Sequence, residues 1–107
     1  MFNVGDRVLA VWPVEEEWWY PGTVVAVDGE LFDVRYDDGD QARLSAPQMK
    51  SLEINAGARV FGRWKGGGQY YPGRISTAAG EAIHILYDDG DQEDTVVAMV
   101  RVHQDDV

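Results

Sequence analysis

Val4-Gly-Asp-Arg-Val-Leu-Ala-Val-Trp12, Trp19-Tyr-Pro-Gly22 and Tyr36-Asp-Asp-Gly-Asp-Gln41 return later in the chain as Ala56-Gly-Ala-Arg-Val-Phe-Gly-Arg-Trp64, Tyr70-Tyr-Pro-Gly73 and Tyr87-Asp-Asp-Gly-Asp-Gln92. An internal repeat of this kind decides the architecture before any single residue is weighed. Trp64 follows Trp12 by 52 residues, whereas Tyr71 follows Tyr20 by 51. One residue is therefore lost between the Trp and the Tyr, where a loop is expected. From residue 20 to residue 41 about half the positions are identical in the second copy.

Each copy reads as a series of short strands. Residues 7–12 and 59–64 are apolar-rich and roughly alternating. Residues 23–27 are β-branched and run into Asp28-Gly29, a hairpin signal that copy two places at Ala79-Gly80. In residues 31–36, Phe32, Val34 and Tyr36 share one face, and Ile83, Ile85 and Tyr87 repeat that parity. Asp-Asp-Gly-Asp supplies a second tight turn, in which Gly provides the positive φ. Further strands are expected at residues 41–44 and 92–95, and closing strands at 50–54 and 100–103. Between them, Ala46-Pro-Gln-Met and Val97-Ala-Met each fit a single helical turn. Five short strands in about 50 residues is the pattern of a small closed barrel. The expectation is an all-β chain of two tandem five-stranded barrels, residues 1–54 and 56–107, packed together through a short linker. Strand exchange between the halves is compatible with the same pattern.

Composition narrows the function classes. The chain has 107 residues and no Cys, so disulfides, thiolate metal sites and thiol nucleophiles are impossible. Two His, His84 and His103, are too few for a His-based metal site, and neither a metal nor a cofactor is expected. There is no signal-peptide pattern and no apolar run long enough to span a bilayer. An intracellular, soluble protein is expected: cytoplasmic if bacterial, nuclear or cytoplasmic if eukaryotic. Net charge is -10, from 9 basic and 19 acidic residues. Such a field repels polyanions and attracts cations, which argues against bulk nucleic-acid binding. Gly66-Gly67-Gly68 lacks the Lys-Ser/Thr of a phosphate loop, and no Ser/His/Asp set is visible. The chain is therefore read as a non-enzyme.

The pattern Gly-Asp-Arg-Val-Leu-Ala-x-Trp, an aromatic pair before Pro-Gly, and Tyr-Asp-Asp-Gly resembles a Tudor domain, within the wider Tudor, agenet, chromo and PWWP group of SH3-like barrels. The resemblance covers nearly the whole chain, twice. It implies a cage of aromatic rings and a carboxylate that binds methylated Lys or Arg. A methylated ammonium is poorly hydrated and is drawn to the negative faces of Trp and Tyr, each contact contributing about 0.5–2 kcal/mol. Carried over by position, the first cage is Trp12, Tyr20, Tyr36 and Asp38. The second, expected to be the weaker, is Trp64, Tyr71, Tyr87 and Asp89. Where many Tudor cages have a further aromatic after the turn, this chain has Asp40 and Asp91. That departure leaves room for a less methylated or unmodified cation.

Structural roles compete with these assignments. Tyr36 and Tyr87 share a face with core residues and could plug the barrel end. Trp12 and Trp64 could be ordinary packing residues, and Trp19 and Tyr70 are assigned to structure. Pro13-Val-Glu-Glu-Glu17 reads as a solvated loop that favours a basic peptide if it flanks the cage. In copy two, Lys65-Gly-Gly-Gly68 would make the mouth flexible and less attractive to cations. Two functions from different classes follow. One is a monomeric module that recognises a basic or methylated peptide segment through its cages. The other is a structural or assembly adaptor that binds a protein partner without reading methylation, with nucleic-acid binding third.

Overall fold

The computed structural model describes all 107 residues and contains only strands and single 3-10 turns. The chain divides into two compact units, Met1–Glu53 and Ile54–Val107. No helix is long and apolar enough to cross a membrane.

The first unit holds β1 (Arg7–Trp12), β2 (Glu15–Asp28), β3 (Leu31–Tyr36), β4 (Gln41–Ser45) and β5 (Met49–Ser51). All pairings are antiparallel, in the order β4-β3-β2-β1-β5. A 3-10 turn at Ala46–Gln48 carries the chain from β4 back to β1, which makes the meander an SH3-like barrel. Alternation sends Val8, Ala10, Val24, Phe32, Val34, Tyr36 and Leu44 inward to one buried cluster, and Phe2 and Trp19 pack against it. The second unit repeats the plan with β6 (Arg59–Arg63), β7 (Tyr70–Ala79), β8 (Ala82–Tyr87), β9 (Gln92–Val96) and β10 (Val100–His103). Its order is β9-β8-β7-β6-β10, and Val60, Ile75, Ile83, Ile85, Val97 and Val100 fill its core.

Both units bend their longest strand at the same place. Pairing to the next strand slips between Val24 and Ala26 in β2, and between Ile75 and Thr77 in β7. A bulge there adds twist, which a small barrel needs to close. The glycine of each Pro-Gly pair lies in the same strand. A Cβ on Gly22 would come within 2.9 Å of the Arg35 carbonyl oxygen and 3.3 Å of the Tyr36 Cα, and Gly73 meets Leu86 and Tyr87 in the same way. These glycines are needed for close backbone approach.

One local expectation is corrected. The acidic run is not a loop: Pro13 and Val14 form the turn, and Glu15–Asp28 is one long strand with Tyr20 near its middle. The strand starts early because Trp12 pairs across the turn with Glu15, after which the register slips to Val11 opposite Trp19. Thr, Val and aromatic residues further along β2 fix the strand, and the exposed glutamates extend it.

Candidate aromatic-acidic sites

The site in the first unit is built from the Asp-Asp-Gly turn outward. Gly39 has a φ of 96°, and its N–H donates to the Tyr36 carbonyl, 2.9 Å away. The Tyr36 N–H donates to the Asp40 carbonyl at 2.8 Å, and the Asp37 N–H to the Pro21 carbonyl at 3.0 Å. The two turn carboxylates then part. Asp37 takes both arms of the Arg7 guanidinium, at 2.6 and 2.7 Å. Arg7 also donates to the Gly22 carbonyl. Asp38 accepts the Asp40 N–H, at 3.0 Å. The Arg of Gly-Asp-Arg-Val thus ties down the first aspartate of the turn and leaves the second on the rim. The same arrangement recurs with Arg59 and Asp88, at 2.7 and 2.8 Å, and Asp89 accepts from the Asp91 N–H. Hydrogen bonding to Arg59 holds the Asp88 carboxyl below its usual range.

Around this turn Trp12, Glu15, Tyr20, Tyr36, Asp38 and Asp40 line a cavity of about 80 Å³. All four residues expected for the first cage converge there. Tyr36, only 2% exposed, is the floor, and its hydroxyl donates to the Val11 carbonyl. Trp12 and Tyr20 stand edge-to-face on it, with centroids 5.5 and 6.3 Å from its ring and interplanar angles of 86° and 85°. Tyr36 is therefore both the plug of the barrel end and the bottom of the cavity. Burial, and after it the charges of Asp38 and Asp40, push its phenol well above the usual tyrosine range. It stays a neutral donor at physiological pH. Glu15 belongs to the acidic run expected to favour a basic peptide if it flanked the cage, and its place opposite Trp12 across a two-residue turn puts it there.

In the second unit Trp64, Tyr71, Tyr87, Asp89 and Asp91 line a cavity of about 230 Å³, which gathers the four expected residues. Trp64 stands edge-to-face on Tyr87 at 5.6 Å and 89°. Tyr71 is more open, 42% exposed, and donates to the Gln69 side chain at 3.0 Å. Lys65, at a φ of 51°, places its ammonium 5.2 Å from the Trp64 ring centre. The Tyr87 hydroxyl donates not to backbone but to Glu93, at 2.5 Å. Burial and then this contact push the Tyr87 phenol above the usual range. Glu93 was not singled out in the sequence, because its counterpart in the first copy is Ala42.

Other aromatics take structural places. Trp19 packs on the first core, Tyr70 stacks under the Arg101 guanidinium at 4.1 Å, and Trp18 is half-buried. His84 lies on the strand surface between Asp94 and Gln92, 2.7 and 2.9 Å away. No group of three or more His, Asp or Glu side chains has the geometry to hold a metal ion.

Residues 4–52 match the family described as the DNA repair protein Crb2 Tudor domain. The crystal structure of Crb2 tandem tudor domains matches with a TM-score of 0.71 at 16% identity, over 99% of this chain and 84% of that one. At that identity the likeness is one of fold. No curated protein matches the chain.

Proposed function

We propose that this chain, whose residues 4–52 match a Tudor domain family and whose fold is that of tandem tudor domains, is a non-catalytic binding module that takes a cationic side chain, Lys or Arg with or without methylation, from a basic protein segment. The observation that carries this reading is the convergence of Trp12, Tyr20 and Tyr36 with Glu15, Asp38 and Asp40 on one small cavity. Three rings supply negative faces and three carboxylates supply charge, a combination suited to an ammonium or guanidinium that has left part of its water. The cavity is well below the roughly 300–1,000 Å³ of small-molecule sites, so it suits a side-chain head group and not a metabolite. The net charge of -10 draws basic segments toward it over long range.

The first cage is the stronger site for a compact cation. Three carboxylates line it against two in the second, and no internal lysine lies over its tryptophan. The partner is a protein segment and not a nucleic acid, which the same field repels.

The test is an NMR titration of labelled protein with methyl-lysine and methyl-arginine analogues, then with an unmodified Arg-rich peptide. Shifts should cluster on Trp12, Tyr20, Tyr36 and Asp38. Trp12→Ala should weaken binding by about 2- to 30-fold, the loss of one cation–π contact. Unchanged affinity in a folded Trp12→Ala variant would remove the cage. Shifts with none of these cations would put the adaptor reading in its place.

A further inference from the structure

The two cavities share a Trp, two Tyr and two Asp; Glu15 lines only the first, and they also differ underneath. At the position of Ala10 in β1 the second unit has Gly62, and at the position of Ala42 in β4 it has Glu93. Both exchanges touch the floor tyrosine. A Cβ on Gly62 would lie 2.6 Å from the Tyr87 hydroxyl and 2.8 Å from Ile85 Cδ1. Tyr87 therefore uses space that the Ala10 methyl occupies beneath Tyr36. Its hydroxyl then finds Glu93 Oε2 at 2.5 Å, while Tyr36 turns to a backbone carbonyl. The other oxygen of Glu93 accepts the Lys65 N–H at 3.1 Å. One half-buried carboxylate thus holds both the floor ring and the 3-10 turn, Trp64–Gly66, that carries the wall ring.

The geometry points to Gly62 and Glu93 as the residues that set the size selectivity of the second cage, which takes a bulky quaternary ammonium that the first cage excludes. Glu93 acts as a positioning residue, because it does not line the cavity itself. Gly62 gives the Tyr87 hydroxyl room beneath the ring, while the Trp–Tyr centroid distance stays nearly the same, 5.6 against 5.5 Å. Glu93 takes that hydroxyl and anchors the wall, and the cavity above them is about 230 Å³ against about 80 Å³. The carboxylate on the Tyr87 hydroxyl also polarises the phenol and makes its ring face more attractive to a cation. In the first unit the Ala10 methyl blocks the recess, and the turn that brings Glu15 against Trp12 narrows the mouth. This inference rests on the cage reading above.

The experiment compares tetramethylammonium with methylammonium at constant ionic strength, read at the Trp12 and Trp64 indole N–H signals of the full chain. In the unaltered protein tetramethylammonium should move Trp64 at concentrations that leave Trp12 in place. Glu93→Ala should weaken the Trp64 response to tetramethylammonium at least about fivefold, with methylammonium little changed. Glu93→Gln keeps one acceptor, for the Lys65 N–H, and can donate its amide N–H to the Tyr87 oxygen, so it should restore much of the selectivity. Gly62→Ala should reduce it, with the Trp12 signal and the amide spectrum as the check on folding. Equal tetramethylammonium responses at Trp12 and Trp64, unchanged selectivity in Glu93→Ala, or a Gln variant no better than Ala would each overturn the assignment. Silence of both indoles toward every cation would overturn the cage reading, and this assignment with it. A response at Trp64 that the variants leave alone would overturn this assignment only.

Discussion

Replacing Gly22 with Ala should damage the first unit and its cage together. The added Cβ would lie 2.8 Å from Val34 Cγ1, 2.9 Å from the Arg35 carbonyl oxygen and 3.3 Å from the Tyr36 Cα. Two of these are backbone atoms of β3, which cannot turn aside as a flexible side chain can. Relief requires β2 and β3 to separate along the Gly22–Tyr36 pairing, and Tyr36 is the cavity floor. Overpacking of this kind costs about 3 kcal/mol, at the upper end of the usual range. Loss of glycine's freedom in the unfolded chain returns somewhat under 1 kcal/mol. The net of about 2 kcal/mol corresponds to a fall in melting temperature of roughly 8–16 °C for a unit this small. Thermal unfolding by circular dichroism measures it, and the Trp12 indole signal reports the floor. Gly68→Ala is the control, because nothing lies within 4 Å of its would-be Cβ and its φ is not positive. It should be neutral or slightly stabilising. If Gly22→Ala melts within a degree or two of the unaltered protein and leaves Trp12 unmoved, close backbone approach is not what the Pro-Gly motif provides.

Arg7→Gln should weaken cation binding in the first cage even though it adds net negative charge, because Asp37 loses its bidentate partner and the turn that presents Asp38 loosens. Tighter binding in a peptide titration would mean that charge outweighs positioning. The same change should lower stability by about 1–2 kcal/mol in urea unfolding, since Arg7 is a partly buried, bidentate partner. His84 has its pKa raised above 6.5, first by the hydrogen bond to Asp94 and then by that to Gln92. Its contribution to stability is therefore complete below about pH 6.5 and is lost as pH rises through the raised value. Asp94→Asn should bring the His84 midpoint back toward the ordinary one in an NMR titration. An unmoved midpoint would show that the ring is not set by that carboxylate.

The barrel plan was legible because the repeat states it twice. The parity of Phe32, Val34 and Tyr36, copied in Ile83, Ile85 and Tyr87, names the inward face, and the structure buries all six. The convergence of the four proposed cage residues was legible for a different reason. Trp12 and Tyr36 end their strands and Asp38 sits in a turn, positions that the barrel brings to one pole, and Tyr20 joins them from within the long β2. What the pattern concealed lies in pairing register. Glu15 read as part of a loop, because nothing in a run of three glutamates says which one faces a tryptophan two residues beyond a turn. The register slip between Val11 and Trp12 decides it. The Arg7–Asp37 clamp was equally hidden, since it joins two motifs 30 residues apart whose proximity only the fold creates.

The positions that distinguish the two units were the least visible of all. A comparison of copies draws the eye to what they share, and the rim of Trp, Tyr, Tyr and Asp is shared. Selectivity resides in Ala10 against Gly62 and in Ala42 against Glu93, residues in strands where alternation marks only inward and outward faces. A methyl group removed below a ring and a carboxylate supplied beside its hydroxyl change cavity depth without changing any residue that a ligand would touch. Two cages that share a Trp, two Tyr and two Asp, and differ in their floors and in Glu15, can divide cations by size while the barrel around them keeps one plan. If the swaps Gly62→Ala and Glu93→Ala give the second unit the preferences of the first, the divergence of the repeat is explained by its floors. If selectivity follows instead the loops that carry Glu15 and Lys65, the mouths are the source.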